Sequence, residues 1–386
     1  MSTYEKPFAS TPPMGWNSWN MFGMNINEAS IRETADALVS SGLKECGYAY
    51  VVIDDCWSRK TGRDSNGELV PDPQKFPNGI KPLSDYVHSL GLKIGIYSDA
   101  AELTCAGYQG SYQFEDQDAQ LWASWEIDFL KYDYCHAPAD QSAAIERYSR
   151  MGEALRKTDR SFLYSVCEWG VRNPHLWGRG AGGHMWRVSG DVFDSWINIW
   201  MKPWNNYGIG VDVSLDIAAD VCEFGGPGGW NDLDMLVVGL KGKGQITGGG
   251  MSFIEYQTHM SLWCMACSPL MIGCDVRRLD QETASLLMNR EVLAINQDPL
   301  GLPARRVKRI GACEIWKKPL ADGSLAVALV NRGSIGRDVT MKAGDVGLLD
   351  APKQARNVWT QVDSADFTVE LTQRVQPHET LLFKIE

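Results

Sequence analysis

Between about residues 13 and 290, short apolar runs rich in β-branched and aromatic residues alternate with stretches whose apolar positions recur at helical spacing. The predicted strands are Met14–Trp19, Tyr50–Asp54, Lys93–Ser98, Phe129–Asp133, Phe162–Cys167, Met185–Val188, Asp234–Val238 and Leu270–Gly273. Helix signals fall between them. Asn27 stands as a cap before Glu28–Ser40 with Gly42 after it, and Asp140 precedes Gln141–Arg156. Eight such units predict an α/β fold, a parallel (β/α)8 TIM barrel, whose chemistry sits at the carboxyl ends of the strands. An open doubly wound sheet is the alternative.

After about Gly301 the texture changes. Glu314–Lys317, Leu325–Val330, Asp338–Met341, Arg356–Trp359, Asp366–Leu371 and Thr380–Ile385 are split by Gly, Pro, Asn and Asp and show no helical period. The chain therefore divides into a catalytic barrel, residues 1–300, and a C-terminal antiparallel β-sandwich domain, residues 301–386. The second domain is expected to cover one side of the barrel and to supply no catalytic residue.

Apolar residues make up 44% and charged residues 22%, which is the mixture of a globular protein with a large core. A net charge of −11 disfavours a broad phosphate-neutralising surface, so no nucleic-acid partner is expected. No membrane partner is expected either, because Leu262–Ile272 is too short to span a bilayer and is interrupted by Cys, Ser and Pro. Met1–Pro13 carries no apolar leader core, which points to the cytoplasm; a trimmed leader would place the chain in the periplasm or outside the cell. The ten Cys are irregularly spaced and are expected to be mostly buried thiols.

Acidic residues recur where the barrel strands should stop. In order the strand ends carry Trp16 and Trp19, Asp54 with Asp55, Asp99, Asp133, Glu168, Asp191, and Asp232 with Asp234. A ring of carboxylates suits either a hard cation or a sugar, whose hydroxyls donate hydrogen bonds to carboxylate oxygens. The fifteen Trp favour the sugar, with Trp16, Trp57, Trp169, Trp186 and Trp230 expected at the same mouth as flat platforms. The six His form neither His-x-His nor His-Glu-x-x-His, and there is no Gly-x-Ser-x-Gly elbow. No metal or other cofactor is expected.

Two clusters give the acids different work. In Phe129–Asp133 the strand period puts Lys131 and Asp133 on one face, pointing into the barrel, where the ammonium is expected to lower the Asp133 pKa and suit it to nucleophilic attack. In Trp186–Asp191, Gly190 is expected to let the chain turn and present Asp191 to the mouth. A second carboxylate nearby would raise the pKa of Asp191, as a proton donor requires, and Arg187 would oppose that unless it points elsewhere.

The motifs Gly15-Trp-Asn-Ser-Trp19, Val52-Ile-Asp-Asp-Cys-Trp57, Gly95-Ile-Tyr-Ser-Asp99, Leu130-Lys-Tyr-Asp133, Cys167-Glu-Trp169, Trp186-Arg-Val-Ser-Gly-Asp191 and Gly228-Gly-Trp-Asn-Asp-Leu-Asp-Met235 resemble the α-galactosidases of glycoside hydrolase family 27. The resemblance implies a retaining exo-glycosidase that removes terminal non-reducing α-D-galactosyl residues from oligosaccharides or glycoconjugates. It makes Asp133 the nucleophile and Asp191 the acid and base. It gives Asp54 and Asp55 the sugar's 4- and 6-hydroxyls, lays Trp16 against the ring, and completes the shell with Tyr97, Lys131, Arg187, Asp234 and Met235. Cys167, Glu168 and Trp169 would face the 2-substituent, and an acid at Glu168 favours galactose over N-acetylgalactosamine. Both Asp54 and Asp55 disfavour a β-L-arabinopyranosidase. The resemblance also matches Cys105, expected at the substrate, to Cys135 as a disulfide pair, and leaves Cys56 without the partner it has in many relatives. Ile197–Glu223 and Leu240–Gly250 look expanded, and either could narrow the leaving-group site or build a homo-oligomer contact. Outside the family, two alternatives remain: a magnesium-dependent barrel enzyme with Asp99, Asp133 and Glu168 as ligands, and a silent galactose-binding protein.

Overall fold

A computed structural model describes residues 8–201, 207–348, 353–364 and 367–386. Eight parallel strands form one sheet: Met14–Asn17, Tyr50–Val52, Lys93–Asp99, Phe129–Asp133, Leu163–Val166, Met185–Arg187, Trp230–Asp232 and Leu270–Ile272. The first seven lie side by side in chain order, and the eighth pairs with the first. The sheet curls until its edges meet, where Leu236 bridges Ile272 and its N–H donates to the Met271 carbonyl at 2.8 Å. This is the (β/α)8 barrel the repeated units predict.

One strand differs from expectation. The seventh is Trp230–Asp232 and not Asp234–Val238. Asp234 takes φ +88°, which ends the extended conformation, and Leu236, Val237 and Val238 are fully buried in the connection that follows. The apolar run marked burial, and burial alone does not specify a strand.

Strand periodicity builds the site. Tyr50, Val52, Phe129, Leu163, Met185, Trp230 and Met271 form a separate cluster that fills the barrel interior as a floor. Gly15 and Gly95 make room for it: a Cβ at Gly15 would lie 2.6 Å from the Tyr50 Cβ, and one at Gly95 would lie 2.8 Å from Val52. The alternate positions Val51, Ile94, Ile96, Leu130, Tyr132, Tyr164, Val166 and Trp186 belong to the larger core between sheet and helices. Two residues beyond the floor on the same faces come Tyr97, Lys131 and Arg187, and the parallel register sets Tyr97 beside Lys131, Asp99 beside Asp133 and Asp232 beside Arg187.

Helix starts follow the local signals. Asn27 accepts from the Ser30 N–H while the Ser30 hydroxyl accepts from the Asn27 N–H, and Asp140 accepts from the Ala143 N–H. Among the described residues no helix is long and apolar enough to cross a membrane. Between the sixth and seventh strands lies a small sheet of Asp191–Val192, Ile199–Met201 and Tyr207–Ile209, and residues 202–206 of the expanded stretch 197–223 lie outside the described residues.

The C-terminal part is antiparallel. Arg305–Ile310, Cys313–Pro319, Leu325–Asn331, Thr380–Ile385, Ala355–Asn357 and Val362–Asp363 form one sheet, and Arg337–Lys342 with Glu370–Val375 form a second. The first of these strands escaped the sequence pattern because Arg305–Ile310 is mostly charged. Along Leu325–Asn331 the side chains divide by parity: Val327 and Leu329 enter the core between the two sheets, while Ala326, Ala328 and Val330 join the barrel core. One sheet thus closes two cores.

A charge cluster pins this contact. Arg332 pairs with Asp212 at 2.7 Å and Asp216 at 2.8 Å on the barrel helix Val211–Val221, and with the fully buried Glu314 at 2.9 Å on the sandwich. Removing the guanidinium strands buried carboxylates, which costs far more than an exposed pair is worth. Arg332→Ala should lower unfolding stability by roughly 2–4 kcal/mol, less than for an isolated pair because Arg306 also reaches Glu314 at 2.9 Å. An unchanged denaturation midpoint would show that the cluster is not a clamp.

Candidate active site

At the carboxyl ends of the strands lies a cavity of 160 Å³. That is smaller than the roughly 300–1,000 Å³ of pockets that take drug-sized ligands, and it suits one small ring. Its walls carry Asp54, Asp55, Asp133, Asp191 and Asp234, the cations Lys131 and Arg187, and the side chains of Trp19, Asn20, Tyr97, Cys167, Trp169, Met235 and Ile246. Cys105 and Cys135 also line it and are joined by a disulfide, whereas Cys56 is a buried free thiol.

Each acid has a defined setting. Asp54 Oδ2 accepts from Lys131 Nζ and from Asn17 Nδ2, both at 2.7 Å. Asp55 accepts from the Cys56 N–H at 2.6 Å and the Ala106 N–H at 3.0 Å, and burial pushes its pKa up to about 6. Asp133 accepts from the Tyr97 hydroxyl and the Tyr134 N–H, both at 3.0 Å. Arg187 divides its guanidinium between Asp234 at 2.9 Å and Asp191 at 3.2 Å. The other oxygen of Asp234 accepts from the Val192 N–H at 2.7 Å, next to Asp191 in the chain.

The expected low pKa of Asp133 is corrected by its burial. Desolvation, with Asp191 adding to it, holds the carboxyl above the ordinary aspartate value, and Lys131 pulls against that rise without cancelling it. Lys131 forms its contact ion pair with Asp54, so Asp133 receives only the more distant part of its field. Arg187 likewise does not point away from Asp191, as a simple proton donor would prefer.

Two candidate contacts fall elsewhere. Trp16 is fully buried and its indole N–H donates to the Cys274 carbonyl at 2.8 Å, because it lies on the outward parity of its strand between Gly15 and Asn17. Trp19 supplies the aromatic wall instead. Of the other expected platforms, Trp57, Trp186 and Trp230 are buried with their indole N–H groups bonded to Tyr97 O, Asn231 Oδ1 and Ala9 O, and only Trp169 reaches the cavity. Glu168 is fully buried outside the cavity wall, where its carboxylate accepts from Arg172 Nη1 at 2.6 Å and from the Arg172 N–H at 2.9 Å. Cys167 and Trp169 face the cavity on either side of it in sequence.

Glycine and strain act where the chain must turn. Gly190 is needed for close approach, since a Cβ there would lie 2.1 Å from the Tyr207 carbonyl oxygen. Cys56, Trp169 and Asp234, at the ends of the second, fifth and seventh strands, take φ of 72°, 65° and 88°. Such left-handed non-glycine residues gather at functional sites because the surrounding structure is needed to hold them.

The donor set does not fit the magnesium alternative. Both oxygens of Asp99 accept backbone N–H groups, from Ala101 and Cys135 at 2.9 Å each, and Glu168 is committed to Arg172. Asp99 and Asp133 bring carboxylate oxygens within 4.8 Å of each other, but Glu168 is not part of that group, and the two sulfurs that complete it, Cys105 and Cys135, are joined to each other.

Comparison with known proteins decides the family. Residues 11–298 match the family described as Alpha galactosidase A, and residues 310–385 match its C-terminal β-sandwich domain. The chain belongs to the α-galactosidases of glycoside hydrolase family 27. It is 43% identical to the α-galactosidase of Cyamopsis tetragonoloba, over 98% of this chain and 87% of that one. It is 44% identical to α-galactosidase 2 of Arabidopsis thaliana, over 98% and 90%. The crystal structure of α-galactosidase I from Mortierella vinacea superposes with a TM-score of 0.93 at 38% identity, covering 99% of this chain and 98% of that one.

Electrostatics in this family 27 site is open to test. Lys131→Met removes the cation that lowers Asp133, so the acid limb of the kcat/KM profile should move to higher pH. A limb that stays in place would mean that Lys131 serves Asp54 alone.

Proposed function

We propose that this family member is an exo-α-galactosidase acting by retaining double displacement, with Asp133 as nucleophile and Asp191 as acid and base. The observation that carries the reading is the convergence of both carboxyls on one cavity sized for a single ring, in a chain whose family relatives are α-galactosidases over nearly its full length. In the first step Asp191 protonates the glycosidic oxygen while an Asp133 oxygen bonds to the anomeric carbon and the aglycone departs. In the second, Asp191 takes a proton from water, the water oxygen replaces Asp133, and galactose leaves with its original anomeric configuration. Tyr97 and the Tyr134 N–H hold the Asp133 oxygens in place for attack.

Galactose recognition follows from acceptors. Asp54 and Asp55 offer carboxylate oxygens to hydroxyl donors, Trp19 gives the apolar face of the pyranose a flat surface, and Cys167 with Trp169 occupies the wall that a bulkier 2-substituent would need. The substrate class is a terminal α-galactosyl group on an oligosaccharide or glycoconjugate. A related α-galactosidase from Saccharomyces cerevisiae, 31% identical with a TM-score of 0.89, has been solved with raffinose.

Purified protein should hydrolyse p-nitrophenyl α-galactoside in preference to the α-N-acetylgalactosaminide and β-L-arabinopyranoside, and NMR should show α-galactose formed first. Asp133→Ala should abolish turnover, with added azide restoring part of it as galactosyl azide. Asp191→Ala should lower kcat about 10²–10⁴-fold on an alkyl galactoside and much less on an aryl one, whose leaving group needs no proton. β-Galactose as first product, or no azide rescue, would refute the assignment.

A further inference from the structure

Among the residues of the cavity wall is Ile246, which comes from the glycine-rich stretch 240–250. Its side chain is buried, at 4% exposure. The stretch is held from two sides. On one, the Gln245 N–H donates to the Asn20 carbonyl at 2.7 Å, one residue beyond Trp19. On the other, the Asp194 N–H donates to the Ile246 carbonyl at 3.0 Å, and the Gly250 N–H donates to the Asp194 carbonyl at 3.0 Å. The Asp194 carboxylate accepts from the Gly242 N–H at 2.7 Å and the Tyr256 hydroxyl at 2.8 Å. The fit is tight: a Cβ at Gly244 would lie 2.2 Å from the Asn20 carbonyl oxygen, and one at Gly248 would lie 2.6 Å from the Ser195 Cβ. Ile246 is therefore fixed against the segment that carries Asp191, three residues before Asp194.

We infer that Ile246 is a specificity-determining residue that selects leaving groups joined through a primary carbon over those joined through a ring carbon. The inference rests on the function proposed above, since it takes Asp191 as the proton donor. A proton donor must lie within hydrogen-bond reach of the glycosidic oxygen, so whatever flanks the Asp191 segment flanks the leaving group. On the function proposed above, the hydroxyls of galactose are received by Asp54 and Asp55 with Lys131, on or just beyond the second and fourth strands. Ile246 offers no donor or acceptor and, being β-branched, little freedom to move aside. A leaving group attached through a CH₂ places a slim apolar methylene against it. One attached through a ring carbon places a ring there, and its neighbouring hydroxyls lose water without gaining a partner. Discrimination by such a wall is worth on the order of 10–200-fold per methylene-sized misfit.

The test compares two disaccharides, galactose linked α-1,6 to glucose and galactose linked α-1,3 to galactose, with the aryl galactoside as reference. Wild-type protein should favour the 1,6 link. Ile246→Ala should raise the ratio of kcat/KM for the 1,3 link over the 1,6 link by about tenfold or more. Ile246→Val should give an intermediate ratio, and it covers the case in which the alanine variant does not fold. If kcat/KM falls equally on both disaccharides in either variant, Ile246 is structural packing and the inference is overturned. If wild-type protein leaves the aryl galactoside intact, the proposed function has failed, and the two failures are thereby distinguished.

Discussion

The structure depends on holding several acids close together in a buried place. Five carboxylates line the cavity against two cations, Lys131 and Arg187, and each cation is shared or spent in a close ion pair. Backbone N–H groups make up part of the deficit, at Cys56, Ala106, Tyr134 and Val192. They do not remove it, as the rise of Asp55 and of neighbouring Asp232 to about 6 shows. The site is short of donors. A pyranose carries many hydroxyl donors and no charge, so it can satisfy these oxygens without entering as a cation. A wall so rich in acceptor oxygens suits a neutral sugar.

The rest of the fold bears that cost. Left-handed backbone at Cys56, Trp169 and Asp234 adds roughly 1–3 kcal/mol each, and it sits beside the same acids. Stability has to come from parts that do no chemistry. The interior floor from Tyr50 to Met271, the aromatic core between sheet and helices, and a sandwich sheet that closes a second core while sealing the first all supply burial. The C-terminal sheet thus adds burial to the barrel core, and among its described residues none lines the cavity.

Much of this was legible from pattern. Strand period places Lys131 and Asp133 inside, and the period holds because Phe129 before them sits on the barrel floor. The same period decides which residues at the other strand ends face away. Trp16 alternates with the inward Gly15 and Asn17, and Glu168 alternates with Cys167, so both were due to face away. Their place along the chain is that of a strand end, and parity turns them from the cavity. Trp19 lies beyond the end of its strand, where no period applies. Ile246 stands among glycines with no period at all, and only its tethers to Asn20 and Asp194 bring it to the cavity. Tertiary contacts of that kind leave no local signal.

The proposed attack at an anomeric carbon requires that Asp54, Asp55 and Asp133 keep their separation to within a fraction of an ångström. They lie on different strands, so the sheet alone fixes them only as far as its strand ends are fixed. Two links extend that order outward. The Ala106 N–H that orients Asp55 is one residue from Cys105, and Cys105 is bonded to Cys135, two residues beyond Asp133. Between these segments stands Asp99, whose two oxygens accept from Ala101 at the root of the Cys105 loop and from Cys135 itself. A covalent bond and a buried carboxylate therefore tie the same pair of loops at two points. Two points define an orientation where one would leave a hinge, and this gives a positioning role to Asp99, which touches no cavity wall and whose carboxyl burial and neighbouring Asp133 hold well above the ordinary aspartate pKa.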